Sequence, residues 1–261
     1  PQMVDLLRQE VSLAQRLNHP NLLTLRHLDT DGDAPYVVME RMDGGDLEEH
    51  LASKGGRLSA EEALPFLRGL LSGLSALHAE KIAHLDVKPA NLLLGRDGRV
   101  KLADFGISSR LKDQRGGGLQ AGTPEYAPPE QLSGEGADVR ADLYAVGILV
   151  HELLAGALPF TATTVDGARA WHKSGARSFP ALSPAVAAVV AKATAVAPSE
   201  RYRSADALFK ALEAAVNEKP WAVLDAAAVA SLQGRLLGEV ELPNGERVAV
   251  EEPGVLLARG A

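Results

Sequence analysis

The stretch HLDVKPANLLLGRDGRVKLADFG, residues 84–106, carries Asp86, Lys88, Asn91 and Asp104 in close succession. Two carboxylates and a side-chain amide are hard oxygen donors of the kind magnesium takes, and an ammonium beside them suits phosphate oxygens. Together they pose the chemistry of a metal–nucleotide site. Neither half is specific alone: Asp-Phe-Gly makes a turn in most proteins, and His-x-Asp is commonly a structural hydrogen-bonded pair. The order of motifs along the chain is far more informative. HLDVKPAN is followed by DFG, then GTPEYAPPE, then DLYAVGILVHELLAG, then SERY.

Elements must position these groups, and the pattern of apolar residues gives most of them. VDLLRQEVSLAQRL places Val4, Leu7, Val11, Ala14 and Leu17 near one helical face, and NHPN ends that helix. LLTLRHL and PYVVMERM read as strands of a hairpin, with Asp31-Gly32 between them. From DLEEHLASKG onward the pattern is mostly helical. LSAEEALPFLRGLLSGLSALHAEKI is the longest helix expected, and Ser59 with Glu62 predicts a capping box. NLLLG and VKLAD flank an RDGR turn and predict a second small hairpin, while DQRGGGLQAGT predicts a loop. Further helices are expected within 138–156, 184–196 and 204–216. The KPW at 219–221 marks a boundary, and GEVELPNGERVAVEE beyond it predicts a hairpin turning at Asn244-Gly245.

Bulk composition bounds the answer. A chain of 261 residues with 46% hydrophobic content can bury a core. Its net charge of -7 argues against general attraction to nucleic acid or anionic lipid. With no cysteine there is no disulfide scaffold or thiolate metal site, which fits a cytoplasmic setting. The apolar run DLYAVGILVHELLAGALPF is broken by His151 and Glu152, so it predicts a buried helix rather than a membrane span. Oligomeric state is not readable.

The ordered motifs resemble the lower lobe of the eukaryotic-type (Hanks-type) serine/threonine protein kinases, over residues 1 to about 217, with YAPPEQL similar to bacterial members. The resemblance implies an α+β, two-lobed fold: a partial upper lobe at 1–43 holding one helix and the hinge strands, and a mainly helical lower lobe at 44–217. Residues 218–261 are expected to be a linker and a β-hairpin, either the start of another domain or permuted upper-lobe strands. It implies ATP and Mg2+ as cofactors and transfer of the γ-phosphate to serine or threonine of protein substrates. Asp86 is then the base that orients the substrate hydroxyl, Asn91 and Asp104 the magnesium ligands, and Lys88 the contact to the transferring phosphate. Lys88 and Thr123, in GTPEY, follow the serine/threonine rather than the tyrosine pattern. Glu10 would pair with a phosphate-gripping lysine, and Met39, Glu40, Met42 and Leu93 would surround adenine, with Asp46 at the ribose. An exposed helix charge is the competing reading of Glu10 and Asp46, and ordinary core that of Met39 and Leu93. His84 is expected to be a buried scaffold residue near Phe105, and Glu130 with Arg201 a structural ion pair.

Three departures bear on activity. Leu85 stands where many kinases carry an arginine that binds a phosphorylated activation loop. Pro128 replaces the usual alanine before Pro129-Glu130. The glycine-rich loop and its lysine do not precede Glu10. One expectation is that the chain is a fragment lacking most of the upper lobe. The other is circular permutation, with Gly238 to Val250 similar to the family's opening strands. The connection is feasible at about 3.3 Å per extended residue, roughly 55 Å in all. Glu251 would then occupy the lysine position, which points to a pseudokinase, a binding module without catalysis. Ala90 replaces the acidic residue common in basophilic kinases, which disfavours an upstream arginine preference, although Asp46 could compensate in part.

Overall fold

The computed structural model describes residues 11–12, 15–30, 35–104, 123–160, 165–174, 178–218, 239–241 and 247–249. The chain divides into two compact units, Pro1–Glu218 and Lys219–Ala261.

In the larger unit, β1 (Leu25–Asp29) pairs antiparallel with β2 (Tyr36–Met39), with an irregularity in register between Leu25 and His27. A second antiparallel pair joins β3 (Leu92–Leu94) to β4 (Val100–Leu102), placing Leu93 opposite Lys101. Both hairpins read from alternating β-branched and leucine runs are present. Val11, Ser12, Gln15 and Arg16 are helical, and Val11 is buried, in keeping with the expected amphipathic helix. Segment 21–23 then docks on β4: the Leu23 amide donates to the Leu102 carbonyl at 2.9 Å, and the Leu102 amide to Asn21 at 2.9 Å.

Seven helices follow among the described residues: α1 (Leu47–Ser53), α2 (Ala60–Ala79), α3 (Pro129–Ser133), α4 (Arg140–Ala155), α5 (Val165–Ser174), α6 (Pro184–Ala193) and α7 (Ala205–Asn217). Helix α2 starts with the predicted capping box, the Ser59 hydroxyl accepting from the Glu62 amide while the Glu62 carboxylate accepts from the Ser59 amide. Leu67, Leu70, Leu71, Leu74 and Leu77 form its buried stripe. Gly69 and Gly73 let the β-structure approach the helix closely, since a Cβ at Gly69 would lie 2.8 Å from the Val100 Cβ and one at Gly73 2.8 Å from the Asn21 carbonyl oxygen. Two short helices, α3 and α5, were not expected from the sequence. Helix α5 is only ten residues long, carries Gly167 and is polar on average, so little in its composition marks it as a helix.

Helix α4 is the spine of the unit. Residues 141–151 are buried without a break, so its apolar character comes from burial on all sides. Helix α6 packs on it at Gly147, where an added Cβ would meet Thr194 Cγ2 at 2.7 Å. The core runs continuously from Leu22 and the β3–β4 hairpin through α2 and α4 to Leu208 and Leu212 of α7. Each buried leucine of this kind contributes about 1.5–3 kcal/mol through removal of apolar surface from water. Among the described residues no helix is long and apolar enough to cross a membrane.

In the smaller unit, β5 (Glu239–Glu241) pairs antiparallel with β6 (Arg247–Ala249), Val240 lying opposite Val248. That is the hairpin predicted there. Its turn, the KPW boundary, Glu251 and the DQRGGGLQAGT loop lie outside the described residues, as does the Asp31-Gly32 connection.

Candidate active site

Residues 84–104 fold as a loop entering a single 3-10 turn, Pro89–Asn91, followed by β3 and β4. Pro89 at the first position of that turn has a fixed φ already suited to it. Four of the expected residues meet directly. Asp86 Oδ2 lies 3.1 Å from Lys88 Nζ. Asp86 Oδ1 accepts from the Thr123 amide at 3.0 Å and from its hydroxyl at 3.1 Å. Lys88 Nζ also donates to Thr123 Oγ1 at 2.8 Å. The Asn91 amide nitrogen donates to the Asp86 carbonyl at 2.7 Å and to Asp86 Oδ2 at 3.1 Å. Burial pushes the Asp86 carboxyl up, but Lys88, Asn91 and the Thr123 amide outweigh it and hold the group below its ordinary range. Asp86 is therefore ionised at neutral pH, largely screened from water, and ringed by donors.

Asp104 is brought alongside by the backbone. The Ala103 amide donates to the Asn91 carbonyl at 2.9 Å, extending the β3–β4 ladder by one step, and Asp104 follows with an exposed side chain and φ of 58°. Because Asn91 spends its NH2 group on Asp86, its Oδ1 remains as an oxygen donor. No group of three or more His, Asp or Glu suited to a metal ion occurs among the described residues. The donor set is instead two hard oxygens from Asn91 and Asp104, which fits magnesium, an ion that takes one or two protein ligands and completes its shell with phosphate and water.

The orientation of Asp86 depends on Leu85 and Asp142. Leu85 has φ of 63°, a left-handed conformation that costs an L-residue about 1–2 kcal/mol. It is held there from both sides. Asp142, fully buried at the head of α4, accepts from the Leu85 amide at 2.7 Å, from the His84 amide at 2.9 Å and from His78 Nε2 at 2.8 Å. Gln131 Nε2 donates to the Leu85 carbonyl at 2.9 Å. His84 is fully buried; its Nε2 bonds to the Ala103 carbonyl at 2.8 Å, and its Nδ1 accepts from the Asp86 amide at 3.2 Å. These contacts and its burial make His84 a scaffold residue, as expected, although Phe105 lies outside the described residues. Asp142 had a signal that the sequence reading did not use: one carboxylate at the head of an otherwise apolar run. Gln131 had none.

The expected nucleotide-side residues fall along one connected path. Met39, exposed, ends β2. Glu40 follows, its amide donating to the Thr24 carbonyl at 3.0 Å. Its carboxylate accepts from the Thr24 amide at 2.7 Å and pairs with Lys101 Nζ at 2.6 Å. Burial raises the Glu40 carboxyl, yet Lys101 and Thr24 hold it below its ordinary range. The Glu40 amide and carboxylate are thus both engaged within the protein. Met42 and Leu93 are half-buried and pack against the core. Asp46 is bridged by backbone to Leu93, and its side chain caps α1 through the Glu49 amide at 2.9 Å, leaving one carboxylate oxygen outside that bond. Glu10 lies outside the described residues.

Helix α3 is anchored by charge. Arg201 makes a two-pronged pair with Glu130, at 2.6 and 2.8 Å, and also donates to the carbonyls of Ala195, Val196 and Arg140. Pro128 is extended, with ψ of 164°, the conformation a following proline favours, so its replacement of alanine fits the turn.

Comparison with known proteins follows the same lines. The family model described as protein kinase domain matches residues 2–211. The chain is 37% identical over 226 residues to the serine/threonine-protein kinase PknL of Mycobacterium tuberculosis, covering 83% of this chain and 56% of that protein. It is 36% identical over 231 residues to the serine/threonine-protein kinase Pkn1 of Myxococcus xanthus, covering 84% of this chain and 33% of the other. To the serine/threonine-protein kinase PrkC of Bacillus subtilis it is 33% identical over 206 residues, covering 76% and 32%. The chain thus spans between about a third and just over half of these relatives' lengths.

Proposed function

We propose, since this chain belongs to the protein kinase domain family, that the protein transfers the γ-phosphate of ATP to serine or threonine hydroxyls of protein substrates. The observation that carries the reading is the Asp86 carboxylate, tied in one cluster to Lys88, Asn91 and Thr123. The substrate oxygen forms a bond to the terminal phosphorus as the bond to the β-phosphate oxygen breaks, ADP leaves, and the hydroxyl proton passes to Asp86. A carboxylate held below its ordinary range is a weak base. Asp86 therefore acts first by orienting the hydroxyl in line and accepts the proton as the oxygen's charge is lost to phosphorus. Lys88 exchanges part of its pairing with Asp86 for the transferring phosphate, and Thr123 holds both.

Asn91 Oδ1 and Asp104 would hold magnesium, which when bound neutralises charge on the phosphate oxygens. Met39, Met42 and Leu93 supply apolar surface for adenine, the main chain of residue 40 supplies polar contact, and the free oxygen of Asp46 reaches the ribose. Glu10 keeps its proposed role as partner of a phosphate-gripping lysine. The absence of cysteine agrees with action in the cytoplasm.

The test is Asp86→Asn in the full-length protein, with magnesium–ATP and a mixed serine/threonine peptide pool. Shape is kept while charge and proton acceptor are removed, and phosphate transfer is expected to fall by about 10² to 10⁴. A rate within tenfold of the parent would remove Asp86 as the base. Nucleotide binding without transfer in the parent protein would replace the enzyme reading with that of a nucleotide-binding scaffold.

A further inference from the structure

Lys101 carries an unexpected arrangement. It sits in β4 directly opposite Leu93, and its side chain is only 7% exposed. A lysine ammonium is rarely buried unless it is paired, and this one meets the Glu40 carboxylate at 2.6 Å and the Leu22 carbonyl at 3.1 Å. Glu40, 17% exposed, reaches back to the Thr24 amide through the same oxygen that takes Lys101. One end of segment 40–46 is thereby fixed to the β3–β4 hairpin by charge. The other end is fixed by main chain, the Gly44 amide donating to the Leu94 carbonyl at 2.8 Å and the Leu94 amide to the Gly45 carbonyl at 2.9 Å. Arg41, Met42 and Asp43 span the interval between these two attachments.

Resting on the nucleotide-binding reading of this segment, we propose that Lys101 is a positioning residue for ATP: its ion pair with Glu40 sets the distance between the adenine-facing strand segment and Leu93. Main chain holds the segment at residues 44–45 on Leu94 and, less directly, at its other end, where the Glu40 amide bonds to the Thr24 carbonyl and Leu23 docks on Leu102; the Lys101–Glu40 pair is the direct tie from residue 40 itself to β4. Lys101 touches neither phosphate nor substrate hydroxyl. Its loss therefore acts on nucleotide affinity and leaves the chemical step in place, a separation that general destabilisation does not produce.

The experiment uses the full-length protein and compares Lys101→Met with the double variant Lys101→Met/Glu40→Gln. The single change leaves an uncompensated buried carboxylate. The double change removes both charges, and replacing both partners of a buried pair is tolerated far better than removing one. The expected result is an ATP KM raised roughly tenfold in both variants with kcat within about threefold, while the double variant recovers the parent's thermal midpoint. A KM that returns to the parent value in the double variant overturns the proposal, since the defect would then be the stray charge alone. An unchanged KM in both variants, an equal fall of kcat, or loss of folding in both overturns it as well. A parent protein that neither binds nor uses ATP would instead sink the kinase reading, so the two failures are distinguishable.

Discussion

At the scale of single residues, Leu85 separates the work of a backbone from that of a side chain. Its backbone holds the strained turn that aims Asp86, and that work is done by Asp142 and Gln131 on its amide and carbonyl. The side chain itself carries no charge, so a phosphate on the loop containing Ser108 and Ser109 finds no guanidinium at this position. Alanine at both serines of the full-length protein is expected to keep peptide phosphorylation within a few-fold of the parent, and phosphatase treatment to do the same. A large loss in either assay would mean that another cation, such as Arg110 or Arg115, reads the phosphate. The Asp86 cluster was the legible part of the candidate site: Asp86, Lys88 and Asn91 stand close in sequence, and Thr123 lies in a motif of its own. Lys101 and Asp142 were not legible in the same way, because their partners, Glu40 and the turn at residues 84–85, are tens of residues away and nothing in spacing pairs them.

At the scale of elements, the strongly periodic segments were readable and the short ones were not. Helix α2 carries its own start signal in Ser59 and Glu62 and a full buried stripe, so its pattern contains its structure. Helix α3 is five residues long and is fixed by Glu130 being clamped from α7's side of the unit by Arg201, a contact that no local pattern encodes. That clamp makes a quantitative expectation. The Arg201 side chain is fully buried and stacks over the Tyr144 ring at 4.8 Å, so removing it strands Glu130 as a buried charge. Arg201→Ala is expected to cost about 3–5 kcal/mol, a fall in thermal midpoint on the order of 10 °C by calorimetry. Arg201→Lys should recover only part of this, since an ammonium cannot reproduce the two-pronged fit. A midpoint within two or three degrees of the parent for the alanine variant would show that Glu130 is reached by water or by another cation.

For the whole molecule, stability against pH follows from groups whose environments pull in opposite directions. Asp86 and Glu40 are held below their ordinary range, so the stability they contribute is present above about pH 4 and lost as pH falls further. His151 is lowered by burial, which withdraws stability as pH drops below about 6.5, because the unfolded chain takes the proton more readily. Its neighbour Glu152 has the reverse sign. Burial raises its carboxyl, with Glu48 adding to the effect, and the Tyr126 hydroxyl that donates to it at 2.5 Å offsets only part. A raised carboxyl contributes fully below its unfolded value of about 4.3, and that contribution is lost as pH rises through the folded value. The two neighbours mask one another in a simple pH scan of the parent, so the informative quantity is a difference. Glu152→Gln keeps an oxygen to accept from Tyr126 but cannot ionise. Its thermal midpoint, measured beside the parent's from pH 4 to 8, is expected to start level with or below the parent and to gain on it steadily as pH rises, because only the parent is then forced to bury a charge. A difference that stays flat across that range would mean that Glu152 ionises as readily folded as unfolded, and that the α4 interior around Tyr126 is wetter than its burial implies.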